Sequence, residues 1–111
     1  MSKPFKLEIA SDVGSKVHQR WTQSAADGNK MQKGDFIVKL ASDGMSKCAE
    51  MTKPETPIEI PQGGTRTLQF AKDRHDTFLN KLDRFTADKN FKSRHFAMRY
   101  CIYVELGLAP A

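Results

Sequence analysis

Phe5, Leu7 and Ile9 alternate with Lys6 and Glu8, the period of two that marks a strand with one face buried. Val17, Gln19 and Trp21 read as a second, shorter alternation. The polar run 24–34 (SAADGNKMQKG), with Asp27-Gly28 as its turn signal, predicts a hairpin connection or mobile loop. Residues 35–41 (DFIVKLA) are the best strand of this half, bounded by Lys33-Gly34 and Asp43-Gly44. Residues 45–54 predict a short helical turn or loop. Residues 56–61 (TPIEIP) are extended, because each proline restricts its own φ and biases its predecessor away from helix. Gln62-Gly63-Gly64 then reads as a flexible joint. The pattern thus predicts a β-rich segment over residues 1–62 and a separate unit over 63–111.

Past the joint, Thr65, Thr67 and Gln69 alternate with Arg66, Leu68 and Phe70, again with period two. A helix is predicted over about 72–87, with Phe78, Leu79, Leu82 and Phe85 on its buried side and Asp73 as a candidate cap. Asp88-Lys89-Asn90 interrupts it. A second helix starts at Ser93, a good N-cap, and ends at Gly107, with Pro110 just beyond.

That last helix is apolar nearly all round. Phe96, Ala97, Tyr100, Tyr103 and Val104 cover one broad face, and Met98, Cys101, Ile102 and Leu106 fill most of the rest. A surface helix of a small monomer has a polar side. Either the N-terminal sheet wraps this one, or a second copy of the chain does, since covering each large apolar side chain is worth roughly 1.5–3 kcal/mol.

Composition changes the picture in one respect. The 111 residues carry a net charge of +5, and residues 63–111 hold nine Lys or Arg against five Asp or Glu, so +4 of the +5 lies there. A basic segment of that kind favours a polyanion such as nucleic acid. With 39% hydrophobic and 28% charged residues the chain reads as soluble and globular rather than disordered. Cys48 and Cys101 follow no metal or redox spacing and predict a reducing cytoplasm. No signal peptide or membrane-spanning segment is predicted.

Candidate chemistry is sparse. His75 and His95 stand near Asp73 and Asp76 without a third ligand at metal spacing, so no metal is expected. No nucleophile elbow, phosphate loop or Cys–His signature occurs, which predicts neither an enzyme nor a cofactor. Trp21, beside His18 and Arg20, reads either as a core anchor or as a stacking group for a nucleobase.

The segments TRTLQF, DTFLNKLDRF and KSRHFAMRYCIYVELGL together resemble the ribbon-helix-helix family, over less than half of the chain. Together with the β-rich N-terminal segment read above, it gives an α+β fold, and the resemblance implies that two copies of the strand-helix-helix unit pair their strands into a ribbon that enters the DNA major groove. It further implies that Thr65, Thr67 and Gln69 face the bases. Lys92, Ser93 and Arg94 would hold a backbone phosphate. Leu68, Phe70, Phe96, Tyr100, Tyr103 and Val104 would form the dimer core.

The function expected on this basis is that of a homodimeric, sequence-specific binder of double-stranded DNA, a transcriptional regulator or an accessory factor at a plasmid or phage site. Residues 1–62 would serve a protein partner or adjust DNA contacts. Two alternatives belong to other classes. One is a small α+β interaction protein inhibiting a host or defence complex, in which the N-terminal strands and TRTLQF share one sheet. The other is a single-stranded nucleic-acid binder stacking bases on Trp21 and Phe5.

Overall fold

Strand β1 (Pro4–Ile9) pairs antiparallel with β2 (Arg66–Ala71), setting Phe5 opposite Phe70, Leu7 opposite Leu68 and Ile9 opposite Arg66. The computed structural model describes residues 4–56 and 66–110. Helices α1 (Ser11–Ala26) and α2 (Lys33–Lys47) lie between the strands, and α3 (Asp76–Asp88) and α4 (Arg94–Glu105) follow them. Among the described residues the result is a small α+β fold of four helices and a two-stranded antiparallel sheet.

This corrects the ribbon-helix-helix expectation. In that arrangement the strand pairs with its counterpart in a second chain; here β2 pairs with β1 of its own chain. The β-rich N-terminal segment is corrected with it, because two helices occupy half of it.

The helices explain why the strand readings failed. In α1 the buried side is Val13, Gly14 and Val17, with Trp21 packed against the core, a spacing of one, four and eight residues. Reading only Val17, Gln19 and Trp21 caught a spacing of two that the fold does not use. In α2 the buried residues are Phe36, Ile37, Val38, Leu40, Ala41 and Gly44. A seven-residue window ending at Ala41 cannot separate helix from buried strand, and the β-branched Ile37-Val38 pair tips it toward strand. Asp43-Gly44, read as a terminator, lies inside the helix.

Gly44 has a different purpose. A Cβ there would lie 2.7 Å from the Cys101 carbonyl carbon and closer still to its oxygen, so glycine lets α2 and α4 cross with their backbones in contact. Cover for α4 therefore comes chiefly from α2, with α3 and β1 completing it. Ala97, Met98, Cys101 and Ile102 are fully enclosed within one chain. Leu68, Phe70 and Val104, expected in a dimer core, are buried there too, while Phe96, Tyr100 and Tyr103 are half-buried. The physical argument for a two-fold mate falls away.

The helix ends follow local chemistry. Ser93 caps α4 by accepting from the Phe96 N–H at 3.4 Å. Gly107, at φ +77°, closes it, its N–H bonding Val104 and that of Leu108 bonding Tyr103, the two-bond glycine cap. Asn90, at φ +59°, closes α3 in the same way through Phe91 N–H to Thr86. The start of α3 departs from expectation: a 3-10 turn covers Lys72–Arg74, His75 takes the N-cap position, and no side chain caps the helix. No helix among the described residues is long and apolar enough to cross a membrane.

Candidate nucleic-acid interface

The strand pattern that buries Phe5, Leu7, Ile9, Leu68 and Phe70 turns the intervening side chains outward. On that outer face Lys6 stands opposite Gln69, and Glu8 opposite Thr67. Thr67 and Gln69 are exposed, as their expected role in base contact requires. Thr65 lies outside the described residues. The structure adds Lys6 and Glu8 to the face, a consequence of β1–β2 pairing that linear alternation cannot reveal.

At one end of this ribbon is a cavity of about 370 Å³ lined by Pro4, Phe5, Lys6, Lys72, Arg94 and His95. Three separate elements supply it: the start of β1, the turn after β2, and the first turn of α4. Its lining holds three formal cations and no carboxylate. Arg94 itself pairs with Asp83 outside the lining, the Asp83 Oδ1 lying 3.7 Å from Arg94 Nη1. Of the expected phosphate set, Arg94 lines the cavity, Ser93 caps α4 beside it, and Lys92 is exposed one residue further back.

Aromatic packing orders the cavity wall. Phe5 stacks on Phe70 at 5.0 Å and 17°, and on His95 at 4.8 Å and 16°. The Arg94 guanidinium sits 5.3 Å from the Phe5 ring centre, within cation–π range. The His95 imidazole is held below its ordinary pKa, first by burial and then by Arg99, Arg94 and Lys72, while a hydrogen bond with the Lys6 backbone opposes the shift. Burial and the three neighbouring cations thus act together in favour of the neutral imidazole.

A larger groove of about 600 Å³ runs between α1 and α2, but its charged lining is balanced: Lys16, Arg20 and Lys39 face Asp27, Asp43 and Glu105. It offers a polyanion no net attraction. The small cavity does.

Other candidates resolve into packing. Trp21 is half-buried and donates its indole N–H to the Met31 carbonyl at 2.7 Å, pinning the α1–α2 connection. Lys33 lies 5.8 Å from its ring centre and His18 meets its edge. Phe5, 1% exposed, is a core residue rather than an open platform. His75 pairs with Asp35 at 2.8 Å, not with Asp73 or Asp76.

Sequence reasoning found Arg94 and its neighbours from the helix start but missed Lys6, Lys72 and His95 as their companions. Lys6 was legible as outward-facing. Nothing in the linear order placed it 88 residues away, beside Arg94.

No known protein family matches the chain, and no solved structure matches it. Over 69 residues, 62% of this chain, it is 35% identical to the Gag-Pol polyprotein of Gibbon ape leukemia virus, of which the chain spans about 4%. So small a share of that polyprotein assigns no family.

Proposed function

We propose that this protein binds double-stranded DNA as a single chain, with the outer face of the β1–β2 ribbon toward the major groove. The observation that carries the reading is the cavity lined by Lys6, Lys72 and Arg94, without a carboxylate, beside a polar two-stranded ribbon. The major groove of B-DNA admits such a ribbon. Gln69 suits paired hydrogen bonds to adenine, and Thr67 a thymine methyl. Lys6, Lys72, Lys92 and Arg94 suit the phosphates alongside. Glu8, the acid on that face, lies in the field of Arg99. A regulator of transcription or a plasmid or phage DNA-site factor, acting in the cytoplasm, is the role that fits.

The test is binding to random and chosen duplexes at two salt concentrations. Affinity should fall steeply with salt, and Arg94→Ala with Lys72→Ala should weaken every sequence alike while lowering the salt slope by about one per cation removed. Gln69→Ala should instead erode discrimination between sites. A folded chain indifferent to duplex DNA at low salt would overturn the reading.

A second reading is an interaction protein that inhibits a host or defence complex. Its support is architectural: β1 and β2 share one sheet and α4 packs inside the same chain, as that alternative implies. The charge-balanced groove between α1 and α2 would be its contact surface. Indifference to DNA selects it.

A further inference from the structure

Phosphate attraction uses only the charge of the cavity, yet its wall is also a stack of rings. Phe70, Phe5 and His95 lie in nearly parallel planes, with neighbouring centres 5.0 and 4.8 Å apart. His95 ends that series and lines the cavity together with the edge of Phe5. Its hydrogen bond with the Lys6 backbone holds the ring in this orientation, and its burial favours the uncharged form. Phe5 is too enclosed to meet a ligand, but it backs the imidazole from behind. A rigid, neutral ring beside Lys72 and Arg94 therefore meets a space of about 370 Å³, within the size range of small-molecule sites.

A flat ring joined to a phosphate is the ligand that uses both features. Bases stack on aromatic side chains with little regard to identity, and cations beside them take the backbone. We propose that this cavity takes one unpaired nucleotide, its base extending the Phe70–Phe5–His95 stack and its phosphate held by Lys72 and Arg94. Bases inside a duplex are already stacked, so the nucleotide comes from a strand end, an overhang or an extruded position. The proposal rests on the DNA-binding reading and narrows it: the chain prefers duplexes that carry unpaired nucleotides.

The test titrates the full chain with a blunt duplex and with the same duplex bearing a short 5′ overhang, at one salt concentration, with adenosine monophosphate as competitor. The overhung duplex should bind about tenfold more tightly. His95→Ala should bring it to the blunt level, whereas His95→Phe, which restores a ring, should keep most of the preference. Matching unfolding midpoints for the two variants separate a lost platform from a lost fold. Equal binding of the two duplexes by the unaltered chain overturns the proposal and leaves duplex binding standing. So does an overhang preference that survives His95→Ala in a folded chain. Binding of the overhang without any binding of the blunt duplex overturns the duplex reading and keeps the cavity. Adenosine monophosphate binding that depends on His95, with no overhang preference, assigns the cavity to free nucleotides and overturns the strand-end source.

Discussion

Arg99 donates through Nε to the Glu8 carbonyl at 2.6 Å, and one turn earlier on the same helix His95 bonds the Lys6 backbone. An α-helix rises about 6 Å over four residues, and a strand advances about 6.8 Å over two. Side chains four apart on α4 thus meet backbone groups two apart on β1. This match shields the edge of a strand that sheets otherwise leave open to pairing with another chain.

Arg99 is 6% exposed, so replacing it with methionine keeps the volume and leaves the Glu8 carbonyl without that donor. Arg99→Met should lower stability by about 1.5–3 kcal/mol, read from urea unfolding. An unchanged midpoint would mean the edge contact contributes nothing.

Gly44→Ala forces a methyl into the Cys101 backbone. Overpacking of this kind costs about 1–3 kcal/mol, more than the roughly 1 kcal/mol that alanine gains over glycine in a helix. At Gly14 the nearest atoms belong to the Arg66 side chain rather than to backbone, so the methyl there meets a group with rotatable bonds instead of a fixed carbonyl. Gly44→Ala should therefore melt well below Gly14→Ala. The reverse order would show that α2 and α4 can separate without loss.

His95 is held below its ordinary pKa by burial, Arg99, Arg94 and Lys72. The unfolded chain therefore binds this proton more readily than the folded one. Stability is complete above the unfolded histidine value, near pH 6.5, and declines as pH falls through it. Unfolding free energies at pH 7.5 and at pH 5.5 should differ by less in His95→Gln than in the unaltered chain. Identical pH profiles in the two would remove the imidazole as the source.

Cys48 and Cys101 are both fully buried, and burial pushes both thiols above their ordinary range. The thiolate is the reactive form. A thiol reagent at pH 8 should label the native chain far more slowly than the urea-unfolded chain, at both positions. Rapid labelling of either in the native state would contradict the packing of α2 against α4.

Leu108, at 43%, is the exposed large hydrophobic among the described residues. Sedimentation should accordingly give a 12.5 kDa monomer. A dimer that persists on dilution would show that Phe96, Tyr100 and Tyr103, half-buried on one side of α4, find cover in a second copy.

Local rules carried at most points where neighbours in sequence decide the structure, the start of α3 excepted. The alternation in Phe5, Leu7 and Ile9, that in Leu68 and Phe70, the Ser93 cap and the Gly107 stop all stand as read. They are short-range effects: a period of two, one hydroxyl near a free amide, one residue able to adopt positive φ. The reading went astray at Val17–Trp21 and at Phe36–Ala41, where a short window admits two periods and only the neighbouring elements choose between them.

The same division runs through the candidate site. Residue order alone established that Thr67 and Gln69 share a polar strand face, that Arg94 stands at a helix start, and that the last helix must be covered. Tertiary packing decided what covers it: α2, across Gly44. It also brought Lys6, Lys72 and His95 to Arg94 from distant parts of the chain. Periodicity reports which side of an element is wet or dry, but a cavity depends on which dry sides meet, and that is set by packing between residues far apart in sequence.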